Sequence, residues 1–136
     1  MSIRKDYIER LIEEFAAALA RILKARREQR FADAQQLVQD TALSSLGMEY
    51  SALLLADPVS TARLLGDPAR VKVLARLVAE DGEVLQQQGD SATAAARFSY
   101  ALALYDEARA QGLPHDADDI ATVALLRAAL GLSRRV

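Results

Sequence analysis

Glycine and proline residues divide this 136-residue chain into segments of helical length. Five of its six glycines follow a stretch in which apolar residues recur every three or four positions: Gly47, Gly66, Gly89, Gly112 and Gly131. A left-handed helix end favours glycine, whereas an Asp-Pro pair, found at 57–58 and 67–68, favours a helix start. The spacing predicts seven helices, near residues 4–27, 30–46, 49–56, 58–65, 68–88, 91–111 and 117–130. Since no segment shows the alternation of a strand, we expect an all-α fold.

The composition supports one helical domain. Apolar residues make up 51% of the chain but aromatic residues only 5%, so alanine, leucine and valine must fill the core. A chain of this length suits a single domain, and no stretch has the composition of a flexible linker. We therefore predict one domain over residues 1–136, in which two short helices at about 48–66 form an insert.

Charge and residue usage exclude several classes of protein. With 17 basic and 19 acidic residues, the chain lacks the positive field of a typical nucleic-acid-binding domain. It has no cysteine, which excludes disulfides and thiolate metal sites and fits a reducing compartment. Its charged start is unlike a secretory signal, and no apolar run is long enough for a membrane span. We expect a cytoplasmic protein without membrane contact, and the excess of arginine over lysine suggests a GC-rich bacterial genome.

No motif for catalysis or cofactor binding occurs in the sequence. Phosphate-binding glycine loops and a Gly-x-Ser-x-Gly motif are absent, so we predict no enzymatic activity, no catalytic residue and no cofactor. The run from His115 to Asp119 holds one imidazole and three carboxylates, which could gather a divalent metal. However, a calcium loop would need glycine where Ala121 stands. We expect Asp116 to cap the last helix, Asp118 and Asp119 to favour its dipole, and no metal to bind.

One stretch of the chain resembles a tetratricopeptide repeat, a unit of about 34 residues that forms two antiparallel helices, A and B. The family has small residues and an aromatic residue at fixed spacing, and the matching residues here are Gly82, Gly89, Asp90, Ala94, Phe98, Ala101 and Leu102. Small residues lie where the helices cross most closely, and the aromatic ring fills the space beside them. The resemblance implies antiparallel helix hairpins of the tetratricopeptide type, in which residues 68–88 and 91–111 pack against each other.

A weaker match to the same pattern lies sixty residues earlier in the chain. There Ala34, Val38 and Thr41 take the places of the alanine, phenylalanine and alanine of the first match. The insert accounts for an interval longer than one repeat. Both candidate A helices depart from the family pattern, since Arg21 and Asp81 stand where it prefers a large apolar residue.

The tetratricopeptide resemblance implies a non-catalytic protein-protein interaction or scaffold domain, whose partner contacts the concave face formed by the A helices. The positions on that face are Ala16, Leu19, Leu23, Arg26, Arg27, Arg76, Glu83 and Gln87. The clamp that some family members use for a C-terminal carboxylate needs lysine and asparagine there, so we do not expect that kind of binding. Residues 4–15 also resemble the start of a family of small uncharacterised bacterial helical proteins, which implies no particular activity.

Two alternative functions remain open. The first is binding of nucleic acid or phosphate by a cluster of cations: Lys24, Arg26, Arg27 and Arg30, with help from Arg134 and Arg135. Because cations also offset the dipole where a helix ends, and the whole chain is not basic, we favour this less. The second is a small helical enzyme or ligand carrier centred on the acidic stretch before the last helix.

The apolar side of the first helix bears on the oligomeric state. It covers close to half of the helix circumference, which is more than one neighbouring helix can hide. If Leu19 and Leu23 form a groove, a monomer would leave an apolar surface open to solvent. We expect the leucines of the insert to cover part of that surface, and we favour a homodimer that covers the rest.

Overall fold

The computed structural model describes residues 3–132, which form seven helices and no strand. They are α1 (Ile3–Arg27), α2 (Phe31–Leu46), α3 (Tyr50–Leu53), α4 (Pro58–Leu65), α5 (Pro68–Gln87), α6 (Ser91–Ala110) and α7 (Ala117–Ala129). The predicted all-α class is confirmed, and every helix except α3 begins and ends within one residue of its prediction. No helix in this part of the chain is long and apolar enough to cross a membrane.

The helices pack as two hairpins with further helices on their flanks. α1 pairs with α2, α5 pairs with α6, and α5 also contacts both α1 and α2, so the hairpins stack side by side. α4 and α7 each pack on α5 and α6, and α3 packs on α2. One core cluster includes buried residues of every helix, from Leu11 in α1 to Leu126 in α7. The insert and α7 therefore share the core of the hairpins.

The turns inside the two hairpins have the same hydrogen bonds. In the first turn, the amides of residues 28, 29 and 30 donate to the carbonyls of residues 24, 26 and 25. In the second turn, the same bonds join residues whose numbers are each 60 higher. The middle residue is left-handed in both turns, since φ is 61° at Gln29 and 89° at Gly89. The two hairpins are thus equivalent in register, sixty residues apart.

The equivalence extends into the helices that follow the turns. The corresponding residues of the two repeat matches, sixty positions apart, have side chains that are all at most 4% exposed: Ala34, Val38, Thr41, Ala94, Phe98 and Ala101. α5 and α6 approach closely at Gly82, where an added Cβ would lie 2.6 Å from Cε1 of Phe98. Because the phenylalanine ring is itself buried in a close-packed core, it has no room to move aside. The predicted pairing of α5 with α6 is confirmed, with a small residue at the crossing.

The structure differs from the prediction in the length of α3, which ends at Leu53 rather than near residue 56. The hydroxyl of Tyr100 in α6 lies within hydrogen-bond distance of the carbonyls of Leu53 (3.1 Å) and Ala56 (2.8 Å). The hydroxyl of Thr61 in α4 lies 3.0 Å from the Leu53 carbonyl. Side chains of α4 and α6 therefore bind backbone carbonyls at and just beyond the end of α3.

A buried carboxylate anchors α3 to the second hairpin. Asp81 in α5 is 6% exposed and accepts from the hydroxyl of Tyr50 at 2.7 Å and from Nε of Arg97 at 3.1 Å. Burial and the charge of Asp81 raise the pKa of the Tyr50 phenol well above its usual value. The acid that interrupts the tetratricopeptide pattern thus binds the insert, whereas Arg21, the other departure from the pattern, is exposed.

The two ends of the insert meet at one side chain. Arg70 in α5 donates through Nη2 to the carbonyl of Leu46 at 2.6 Å and through Nη1 to that of Leu65 at 3.1 Å. Leu46 ends α2 and Leu65 ends α4. The guanidinium therefore satisfies carbonyls that lack an amide partner within their own helices.

We predict that Ala94→Leu lowers the free energy of unfolding by about 1–3 kcal/mol, because the larger side chain overpacks the crossing of α5 and α6. Ala95→Leu is the matched control. Ala95 is the next residue along α6 and is exposed, so its replacement should change the free energy by less than about 0.5 kcal/mol. Urea denaturation followed by circular dichroism measures both variants. Equal midpoints for the wild-type and Ala94→Leu proteins would contradict the assigned packing.

The two equivalent turns provide a reciprocal test. A left-handed backbone costs a residue other than glycine about 1–2 kcal/mol, part of which is offset because that residue restricts the unfolded chain. We expect Gln29→Gly to raise the free energy of unfolding by roughly 0.5–1 kcal/mol, and Gly89→Gln to lower it by a similar amount. Urea denaturation measures both changes. A shift in the same direction for the two variants would contradict the shared turn geometry.

Candidate functional site

A groove runs along one face of the molecule, with α5 as its floor and α1 and α7 as its walls. Its main cavity, of about 320 Å³, is lined by apolar side chains of α1, by Lys72 and Arg76 of α5 and by the acids at the start of α7. A smaller cavity of about 110 Å³ shares Arg76 with the first and lies toward the C-terminal ends of the same helices. We call the two cavities together the α1–α5–α7 groove.

Each wall of the groove has an apolar part that is open to solvent. On α1, Phe15 and Leu19 are half-buried in the main cavity, and Ile12 beside them is 55% exposed. On α7, Leu125 is 70% exposed and lines the smaller cavity. The α1 residues are three or four positions apart, the spacing that places side chains on one side of a helix. The groove therefore presents apolar surface to any molecule that enters it.

Ion pairs join α5, the floor of the groove, to its α7 wall. Nη1 of Arg76 lies 2.7 Å from Oδ2 of Asp118, and Nζ of Lys72 lies 2.5 Å from Oδ2 of Asp119. The Lys72 ammonium also donates to the carbonyl of Pro114 at 2.7 Å. Since the side chains of Lys72 and Arg76 are each 15% exposed, water screens these charges less than it would on the surface. α7 is thus held to α5 by two shielded cations.

One carboxylate extends this network to α1. Glu80, whose side chain is 7% exposed, accepts from Nε of Arg76 at 3.2 Å and from Nε of Arg26 at 3.1 Å, on separate oxygens. Arg26 belongs to α1, and its Nη1 lies 3.9 Å from Oε2 of Glu83. Both walls of the groove are therefore connected to its floor through Glu80 and Arg76.

The acidic run before α7 has a structural role. The Asp116 carboxylate accepts from the amide of Asp119 at 2.8 Å, and the Asp119 carboxylate accepts from the amide of Asp116 at 3.0 Å, which forms a capping box. The predicted cap is confirmed. Nε2 of His115 lies instead 3.1 Å from the carbonyl of Tyr105 in α6. Within residues 3–132, no three potential metal ligands are grouped closely enough to hold an ion.

Most of the predicted partner-binding residues lie along the groove. Ala16, Leu19 and Arg76 line the main cavity. Arg26 and Glu83 line the smaller one. The fold therefore brings together residues of α1 and α5 that were predicted to lie on one concave face.

Three of the predicted residues lie apart from the two cavities. Leu23 is half-buried on α1, one turn beyond the last α1 residue of the main cavity. Arg27 and Gln87 line a further depression at the ends of α1 and α5, which shares Arg26 with the smaller cavity. These residues extend the face beyond the groove but do not shape it.

The insert does not cover the groove, contrary to our expectation. α3 contacts α2, α4 contacts α5 and α6, and no insert side chain lines either cavity. Leu53 and Leu65 are buried in the core, whereas Leu55 and Leu64 are exposed. The physical reason is that the hydrogen bonds of the insert with Asp81 in α5 and with Tyr100 in α6 hold it against the second hairpin.

None of the residues predicted to bind a partner lies on α7. A signal was present, because Asp118, Thr122 and Leu125 follow the spacing of one helix face. The contacts of that face with α5, however, join residues more than forty positions apart, as in the pair between Arg76 and Asp118. Periodicity along one helix does not identify such a distant partner.

The basic cluster at the end of α1 is divided by the fold. Arg26 pairs inside the groove, and Arg30 pairs with Glu28 at 2.9 Å and with Asp33 at 3.0 Å. The other predicted cations are Lys24 and Arg27, which are exposed, and Arg134 and Arg135, which lie outside the described residues. Two of the four clustered cations near the end of α1 are therefore neutralised by carboxylates of the same chain.

No protein-family model matches the chain, and neither a curated protein nor a solved structure matches it. The function therefore has to be inferred from the geometry and chemistry of the groove. The tetratricopeptide resemblance stays a prediction.

We predict that Glu80→Gln lowers the free energy of unfolding by about 3 kcal/mol, because it removes the charge shared by two shielded arginines. Glu83→Gln, on the same helix, is the matched control. The Glu83 side chain is 41% exposed and lies 3.9 Å from Arg26, so we expect a loss below about 1 kcal/mol. Urea denaturation of both variants gives the comparison. Similar losses would mean that the shared carboxylate does not hold the walls of the groove.

Proposed function

We propose that this chain is a non-catalytic protein-interaction domain of tetratricopeptide-like type, which binds a segment of a partner protein in the α1–α5–α7 groove. The observation that carries the proposal is the open apolar lining, in which Ile12 is 55% and Leu125 is 70% exposed. Burial of apolar surface is the main source of free energy in most protein associations. A partner that covered these side chains would remove them from water.

The arrangement of the helices supports the tetratricopeptide-like part of the proposal. In repeat architectures of stacked helix pairs, each unit packs on its neighbour, and the stack forms an extended concave surface. Here α5 contacts both helices of the preceding hairpin, and α7 likewise contacts α5 and α6. If α1, α5 and α7 correspond to A helices, the groove lies on the face where this architecture binds its partners.

The chemistry of the groove supports binding rather than catalysis. Catalytic sites place a nucleophile beside a base, or hold a metal. Among the described residues that line the two cavities, none is a histidine, serine or cysteine, and Lys72, the one lysine there, is paired with Asp119. The cations of the groove are paired with carboxylates, and this pairing stabilises the groove itself. We place the interaction in the cytoplasm of a bacterial cell, as the lack of cysteine and the residue usage favour.

Binding of nucleic acid receives less support. Arg26 and Arg30 are engaged with carboxylates, so the cluster near the end of α1 offers fewer cations than its sequence implied. Retention on a heparin column that falls steeply with salt would favour this alternative.

A second copy of the chain is one form that the partner can take. The exposed apolar side chains of the groove favour association, and we retain the homodimer as part of the proposal. Light scattering at micromolar concentrations measures the mass directly. A dimer that uses the groove should become a monomer when Leu125 is replaced by glutamate.

We predict that proteins retained by the wild-type chain from a lysate of its source cells are lost when the groove is charged. Ile12→Glu and Leu125→Glu each place a carboxylate in the lining, and we expect at least about a tenfold loss of the retained partner. Leu64→Glu is the matched control, since Leu64 is 60% exposed but belongs to the insert, outside the groove. Thermal unfolding must be unchanged in all three. A partner that the groove variants retain as well as the control does would contradict the proposal.

A further inference from the structure

We propose that the α1–α5–α7 groove binds an amphipathic helix of another protein, with basic side chains beside its apolar stripe. This inference rests on the proposed function and adds the conformation and the charge of the partner segment. It follows from two properties of the groove, namely that its lining offers no carboxamide and no unpaired cation to an extended backbone, and that carboxylates are in excess at its rim.

The first property concerns the backbone of the partner. An extended segment that enters an apolar groove leaves its amides and carbonyls without partners, unless side chains of the groove bind them. Asparagine and glutamine are suited to this, because the carboxamide both donates and accepts. The sequence contains no asparagine, and no glutamine lines either cavity.

The other polar groups of the floor are already engaged. Lys72 binds Asp119 and a carbonyl, and Arg76 binds Glu80 and Asp118. Helical walls also differ from a sheet edge, since their own backbone groups are bonded within each helix. A helix, whose backbone is satisfied internally, can place an apolar face in this groove without that cost.

The second property is the sign of the charge that the partner meets. Five carboxylates and three cations line the two cavities. All three cations, Lys72, Arg76 and Arg26, are shielded and paired within the chain. The carboxylates of Asp118 and Glu83 are paired as well, but their side chains remain 71% and 41% exposed. A partner therefore meets negative charge at the rim, which favours lysine or arginine.

The positions of the two exposed acids suggest the spacing of the basic residues. Asp118 contacts Arg76, and Glu83 lies seven residues beyond Arg76 on α5, so the Cα atoms of these two α5 residues are about 10 Å apart along the helix axis. Basic side chains two turns apart on the partner helix match this interval, with apolar side chains between them facing Leu19 and Leu125.

The test uses three designed peptides as probes, each of about 18 residues, so that a helix can form on binding. The first has a leucine stripe at helical spacing with lysines beside it, two turns apart. The second has glutamates in place of the lysines. The third is the lysine peptide with a central proline, which breaks the helix. Fluorescence anisotropy of labelled peptides with the full chain measures the affinities.

We expect the lysine peptide to bind at least about tenfold more tightly than the glutamate and proline peptides. The double variant Asp118→Asn with Glu83→Gln should weaken its binding by about three- to tenfold. Glu9→Gln with Glu13→Gln, at exposed acids of α1 that line neither cavity, is the matched control and should leave the affinity unchanged. Leu125→Glu should abolish binding, which places the peptide in the groove.

Several results would overturn the inference. The first is that the lysine peptide does not bind. The second is that the glutamate or the proline peptide binds as tightly as the lysine peptide or more tightly. The third is that the chain forms a dimer, which Leu125→Glu dissociates. If the lysate partner still depends on the groove, such a result removes the inference and leaves the proposed function standing. If neither the peptides nor any lysate protein depends on the groove, both fail.

Discussion

Glu80 lies in the second half of α5, with its carboxylate between two guanidinium groups from different helices. A charge taken out of water is costly unless opposite charges and hydrogen bonds surround it, and Arg26 and Arg76 supply both. Because Arg76 is held in this way, its Nη1 is in position to bind Asp118 and to fix the start of α7. Three helices that are far apart in the sequence are thus linked through one buried acid, in addition to the apolar core that they share. The groove between them is a product of this network.

The parts of the fold that depend on neighbouring residues could be predicted from the sequence. Asp57 and Asp67 cap the helices that follow them, and glycines occupy the left-handed ends. The register of the two hairpins was also accessible, since small residues at fixed spacing mark the crossing of adjacent helices. The concave positions on α1 and α5 followed from that register. Arg76 and Glu83, for example, lie in the groove because they share a face of α5.

The parts that depend on contacts between distant residues could not be predicted in this way. Tyr50 and Tyr100 decide where the insert lies, yet nothing in their local sequence identifies the carboxylate or the carbonyls that their hydroxyls contact. Asp81 stood out only as a departure from the repeat pattern. Its role became apparent when the fold placed Tyr50 beside it. The wall formed by α7 was missed for the same reason, since hydrophobic periodicity carries no information about ion pairs between helices.

Arg70, which binds the last carbonyls of α2 and α4, bears on how a chain of this kind can change during evolution. The segment between residues 47 and 66 departs from the hairpins and returns to them at a single guanidinium. Closing a longer segment across the same point costs little extra entropy, about 0.6 kcal/mol for each doubling of its length. Insertions in related chains should therefore collect at the exposed connection around Leu55, between α3 and α4, and not at the residues that the segment adds to the core. A foreign reporter domain placed at this exposed connection would leave the groove intact, because no insert side chain lines it.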